Sequence, residues 1–209
     1  ENVRLFQLVN DIAKKHGLAV KIYGVTDQLY PYIQQTRMTD FVFLNRLLQM
    51  EGCAMLFYDG ALVIYDELQR DRSLASATVK IGVDGRFGYT DNSSQSYGSI
   101  ELVSGSFRGT FTDSAAPAAR VLKPATPVEC MSDAEAQRFA RGILRQANKN
   151  AYTGHFRRKF TAEYAAGSVL NLQTEKAPSW NGKIFITRTR NNFITGESKI
   201  FFRRTLEVY

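Results

Sequence analysis

Two histidines and two cysteines are the only imidazole and thiol groups in this chain of 209 residues. A Cys-His nucleophile needs the imidazole within hydrogen-bond reach of the thiol, and Cys130 with His155 is the one pairing worth weighing. Cys130 reads equally well as a small apolar residue before a helix, and His16 falls in the last turn of another helix. The carboxylates Asp59, Asp66 and Glu67 gather around a hairpin signal, where a solvated turn and strand end account for them. No GxxxxGK[ST], HExxH, CxxC or GxSxG occurs, and GVDGRFG at 82–88 lacks the strand-to-helix context of a phosphate cradle. No catalytic, cofactor-binding or metal-ligating set is expected. The remaining constellation is basic: Arg157, Lys159, Arg188, Arg190, Arg203 and Arg204 alternate with aromatics on strand-like runs. That pattern suits single-stranded nucleic acid, a protein interface, or a solvated β face kept charged against edge pairing.

The elements that must carry these residues are written plainly. Leu5, Leu8, Val9, Ile12 and Ala13 recur at helical spacing, with Asn2 as the expected cap and Gly17 as the stop. LAVKIYG follows as a strand, and the segment 25–35, with Pro31 inside it, as a loop. In QTRMTDFVFLNRLLQMEGC, residues 35–53, Thr39 is the expected N-cap and Asp40 suits the helix dipole. Phe41, Leu44, Leu47 and Leu48 make the stripe, expected to bury against the first helix and the hairpin. CAMLFYDGALVIYDE gives two strands around Asp59-Gly60, a two-residue turn favouring positive φ. LQRDRSLAS then reads as a polar linker, so the chain divides into a small α+β domain, 1–72, and a mainly antiparallel β-barrel or sandwich domain, 73–209.

In the second part, short strands precede an Ala- and Pro-rich extended connector at 113–127. SDAEAQRFARGILRQANK has capping-box spacing between Ser132 and Glu135 and predicts a helix over 133–148. Beyond it Phe156, Arg158, Phe160, Ala162 and Tyr164 share one strand face, and His155, Arg157, Lys159, Thr161 and Glu163 the other. SVLNLQT, GKIFITRTR and KIFFRRTLEVY repeat the alternation, giving at least four closing strands. Lys and Arg outnumber Asp and Glu by 27 to 20, which permits acidic partners and selects none. Cys53 and Cys130 are expected to be unpaired and reduced. No apolar run nears the roughly 20 residues of a membrane-spanning helix. The start at Glu1 suggests a longer natural chain.

IAKKHGL, the 35–53 segment followed by DGALVIYDE, SDAEAQRFARGIL, FTAEYAAGSVLNLQ and the closing WNGKIFITRTRNNFITGESKIFFRRTLEVY occur in the order and spacing of a known family. Together they resemble the late control protein D or tail hub family of contractile phages, related to type VI secretion spike proteins. The resemblance covers most of the chain and matches the C-terminal half of the hub. It implies a structural baseplate protein of the virion tail, assembled in the bacterial cytoplasm, that trimerises and joins tail tube to spike without cofactor, small-molecule substrate or reaction. It implies tube, spike and other baseplate proteins as partners, DNA contact that is at most transient, and a monomeric state for this half alone. The basic residues would then face the lumen or a partner. Three other readings compete: a cell-envelope module, because VRLFQLVNDIAKKHGLAVKIYG is similar to secretin repeats and to peptidoglycan-binding LysM units; a tail-borne hydrolase; and a nucleic-acid-binding β domain.

Overall fold

In a computed structural model of the chain, every residue except Asp84, Ser114, Ala115, Pro117 and Ala118 is described. The order of elements is β1 (Val3–Arg4), α1 (Leu5–Lys15), β2 (Ala19–Tyr23), β3 (Leu29–Tyr30), α2 (Asp40–Met50), β4 (Cys53–Tyr58), β5 (Ala61–Asp66), α3 (Glu67–Arg72), β6 (Thr78–Ile81) and β7 (Phe87–Asp91). It continues through β8 (Ser99–Ser104), β9 (Phe107–Thr112), β10 (Val121–Leu122), α4 (Asp133–Asn148), β11 (Tyr152–Lys159), β12 (Val169–Thr174), β13 (Gly182–Asn192) and β14 (Glu197–Arg204). The fold is α+β, and its two compact units are discontinuous in sequence. One holds Glu1–Gln69, Tyr97–Gln146 and Tyr209, the other Arg70–Ser96 and Ala147–Val208. Residues 97–146 share the first unit, so most of α4 and β8–β10 belong with α1 and α2 rather than with the closing strands.

In the first unit the Asp59-Gly60 turn has φ of +50° and +67°, the left-handed pair that closes a two-residue hairpin, and it joins β4 to β5. β2 adds in parallel to β5. The stripe on α2 differs from its expected membership in one residue: Leu44, Leu47 and Leu48 are buried with Phe43, while Phe41 is half-buried and stands edge-on to Phe57, 4.9 Å between centroids. Asn2 does not cap α1; it sits at φ +52° and the cap position is Arg4. Ser132 caps α4 as its spacing predicts, the Glu135 amide donating to Ser132 Oγ at 3.1 Å, while the Glu135 carboxylate accepts from the Met131 amide at 2.7 Å, one residue before the cap. Gly142 lets α4 lie on the end of α2, since a Cβ there would stand 2.0 Å from the Met50 carbonyl oxygen.

Residues 68–72 of the stretch read as a polar linker are instead helical, and its one acid, Asp71, is buried, as is Glu67 just before it. Glu67 is 4% and Asp71 0% exposed, which a solvated linker would not tolerate, and each meets an arginine. Within the first unit Arg145 Nε lies 3.1 Å from Glu67. Within the second, Arg203 holds Asp71 with both terminal nitrogens, at 2.9 and 3.0 Å. Of the connector 113–127, residues 114, 115, 117 and 118 lie outside the described residues; beyond them β10 pairs in parallel with β8.

The second unit is built on a six-stranded sheet in the order β6-β12-β13-β14-β11-β7, curled into a half-barrel. All neighbours are antiparallel except β6 with β12. The alternation read from sequence places Val79, Phe156, Leu170, Leu172, Ile184, Ile186, Ile200 and Phe202 together inside the curl. Gly154 has no side chain because the Phe202 ring occupies that space, 2.4 Å from where a Cβ would lie.

Candidate interaction face

On the outer side of β11, β14 and β13, cross-strand register converts a sequence alternation into rows. Arg157 stands opposite Lys199, and Lys199 opposite Arg190, so three cations sit side by side at the spacing of adjacent strands, about 4.8 Å. One step along, His155, Phe201 and Arg188 form the next row. Lys159, Glu197 and Asn192 form the row on the other side. A bulge between Ile186 and Arg188 lets both Arg188 and Arg190 point outward after two buried neighbours, the re-aiming that bulges perform.

The face is electropositive and only partly neutralised. Glu197 takes Arg86 at 3.2 Å and Arg157 at 3.5 Å. Lys159, Arg188, Arg190 and Lys199 have no carboxylate partner among the described residues. Arg188 lies over the Phe201 ring, 4.1 Å from its centroid, and Lys199 Nζ is 4.9 Å from it. These contacts hold the cations against the Phe201 ring and occupy it as a stacking surface. His155 shares the row, and burial together with the charges of Lys199 and Arg157 pushes its pKa below the ordinary histidine value.

Of the six basic residues singled out from sequence, four meet here: Arg157, Lys159, Arg188 and Arg190. Arg203 has the right strand parity but is 2% exposed, locked to Asp71 and stacked on Phe185 at 4.4 Å. Arg204 points the opposite way, half-buried over Tyr152 and Trp180 at 4.9 and 5.0 Å, and donates to the Ser179 carbonyl. Lys199, Arg86 and Phe201 belong to the face and were not singled out. Lys199 was within reach of the same reasoning, because it alternates with Phe201 and Arg203 in KIFFRR.

The sites weighed for catalysis disperse. The Cys130 thiol is buried in the first unit, and burial with the nearby Glu135 charge pushes it up to about 11. His155 belongs to the second unit and faces Phe201 and Gly88. Asp66 accepts the Gln69 amide at 2.6 Å, and Glu67 is bound to Arg145. Gly85 donates to the Gly82 carbonyl at 2.9 Å, a turn, while Asp84 of that segment lies outside the described residues. Cys53 and Cys130 are free. Among the described residues no group of three or more His, Cys, Asp or Glu side chains is gathered as a metal site would need.

The family model of the phage tail baseplate hub (GPD) matches residues 2–195. No curated protein sequence matches significantly. Among solved structures, the tail protein from Neisseria meningitidis MC58 superposes with a TM-score of 0.75 at 13% identity, over 98% of this chain and 67% of its own. The 43 kDa tail protein of prophage MuSo2 from Shewanella oneidensis gives 0.70 at 15%, over 98% and 65%. The E. coli c3393 protein, a type VI secretion component with structural similarity to the T4 tail proteins gp27 and gp5, gives 0.59 at 13%, over 100% and 50%. The chain therefore spans between half and two-thirds of these proteins, and at such identities they establish a common fold. The likeness of residues 3–24 to envelope modules is one segment of this longer match. By a match that runs through both units, the chain belongs to the phage tail baseplate hub family, and so to the structural components of a phage tail or related injection device.

Proposed function

We propose that this chain is the part of a baseplate hub that joins tail tube to spike, working as a homotrimer in the full-length protein and carrying out no reaction. The observation that carries it is the family match over residues 2–195. The chemistry agrees, because the strongest side-chain constellation on the surface is a basic and aromatic face of the kind protein interfaces use. In this reading Arg157, Lys159, Arg188 and Arg190, with Lys199, contact a neighbouring tail component, and assembly takes place in the cytoplasm of the host cell. Deleting the gene should abolish complete tails in electron micrographs, and the intact gene supplied in trans should restore them. Wild-type tails from the deletion strain would overturn the proposal.

A transient DNA contact is the second reading, favoured by the row Arg157, Lys199 and Arg190. Neutralised phosphates show as a log-log salt slope of about −0.9 per phosphate on duplex DNA, and a flat salt dependence would exclude it.

A further inference from the structure

The β13–β14 hairpin ends in an apolar tip that nothing among the described residues covers. Phe193 is 79% and Ile194 98% exposed, and the Phe160 ring, itself half-exposed, lies 5.3 Å from Phe193. Asn192 Oδ1 accepts the amides of Ile194 and Thr195 at 3.0 and 3.1 Å, so the tip is a built turn rather than a loose end. Lys159 and Arg190 stand behind it on the face described above. A solvated turn would use polar residues. Paired aromatic and branched side chains at full exposure are the composition of an anchor that enters a partner's pocket.

The first unit offers such a pocket. An open groove of about 230 Å³ is lined by Phe43, Leu47, Met50, Val128 and Phe139, below the roughly 300–1,000 Å³ of small-molecule sites. Two charged groups on it complement the tip. Arg46 lies in the lining, where a guanidinium can stack on an entering aromatic ring. Glu129, exposed and without an ion pair among the described residues, faces the groove and is opposite in sign to Lys159 and Arg190. Glu135, also on the lining, is already bound to the Met131 amide.

We infer that the hairpin tip of one copy of this chain seats in the α2–α4 groove of a second copy, Phe193 and Ile194 as anchors and Glu129 against the basic flank. The contact is heterologous, head to tail, the kind that closes a ring when the rotation between copies permits. It deepens the hub reading and rests on it for the expectation that copies of the chain meet. A nucleic-acid partner is less favoured, because phosphates leave the apolar tip unused.

The test co-expresses two differently tagged full chains, both Cys130→Ala, one with Ile194→Cys and one with Val128→Cys, and oxidises them mildly. A disulfide-linked hetero-pair is expected, and none above background when Leu74→Cys, at an exposed position, replaces Val128→Cys. Adding Phe193→Asp to the Ile194→Cys chain should lower the yield at least about tenfold, as loss of a central anchor does. Glu129→Lys should lower it, and Arg190→Glu in the other chain should restore it. A yield equal to the Leu74→Cys control, or one indifferent to Phe193→Asp, overturns the contact. So does retention on DNA that needs Phe193 and Ile194 while no hetero-pair forms. Failure is separable from failure of the hub reading: tails that contain the chain without the cross-link leave the hub standing and remove this contact. A cross-link in a chain that never enters tails does the reverse.

Discussion

Arg203 and Arg190 lie on the same outer side of one hairpin, four register steps apart on paired strands, and meet opposite fates. Arg203 is buried, gripped by Asp71 through both terminal nitrogens and stacked on Phe185. Arg190 is exposed beside Lys199 with no acid to meet among the described residues. Strand parity decides which way a side chain points and says nothing of what covers it. The cover comes from Asp71, more than a hundred residues earlier. The same sheet face therefore contains a structural arginine at one end and an exposed cationic surface at the other.

The sharpest way to break this contrast is Asp71→Ala. It strands a buried guanidinium and also removes the acceptor of the Leu206 amide at 2.9 Å. Losing one partner of a buried pair costs about 3–5 kcal/mol, or about 6–20 °C in melting temperature for a chain of this size. Calorimetry would measure it, and a drop under about 2 °C would mean that Arg203 is not held as described. The double variant Asp71→Leu with Arg203→Met should recover much of the loss, because the penalty lies in the unpaired charge rather than in the absence of the pair.

How much of this was legible follows from the same contrast. Local signals were readable: the Asp59-Gly60 turn, the Ser132–Glu135 cap, the limits of α4 and the inward Phe156 follow from short-range chemistry, whereas the alternation expected to run to Tyr164 stops where β11 ends at Lys159, leaving Arg158, Phe160 and Ala162 exposed. So was the grouping of Arg157, Lys159, Arg188 and Arg190, since alternation and a hairpin suffice to bring them together. Features set by distant contacts were not. Arg203 needed Asp71 to be known as its cover, and LQRDRSLAS looked like a linker because its acid Asp71 meets an arginine 132 residues away, as Glu67 just before it meets one 78 residues away. Gly142 in α4 reads as a helix-weakening residue, yet its value lies in the approach of the Met50 carbonyl. Likewise, Gly109 on β9 leaves room for the Ala136 carbonyl, 2.1 Å from where a Cβ would lie, which ties a strand of the second sequence half to the first unit. Nothing local marks residues 97–146 as returning there.

At the exposed end of the hairpin the expected effects are small. Arg190→Ala should change stability by no more than about 0.5 kcal/mol, as substitutions at solvated positions do. Arg188→Ala also loses the stacking on Phe201, worth about 0.5–1 kcal/mol at most at an exposed site, so of the two it should be the more costly. Equal melting temperatures for Arg190→Ala and Asp71→Ala would erase the distinction between the two ends.

The smallest effect is the most specific to the face. Burial, then Lys199, then Arg157 lower the pKa of His155 in the folded chain, below the ordinary value near 6.5. The imidazole thus binds its proton less readily folded than unfolded. Its contribution to stability is complete above the unfolded pKa, where both states are neutral, and is lost as pH falls through that value toward the folded one. Lys199→Gln removes a like charge, so the His155 titration followed by NMR should move upward and the acid-side loss should shrink. Arg190→Gln removes a cation of the same row that does not border His155, and should leave that titration where it was. If both variants moved it equally, the face would act on His155 as a diffuse field. If only Lys199→Gln moves it, the charges act through the register that sets Phe201 and Lys199 beside this strand, and the face is as ordered as its rows imply.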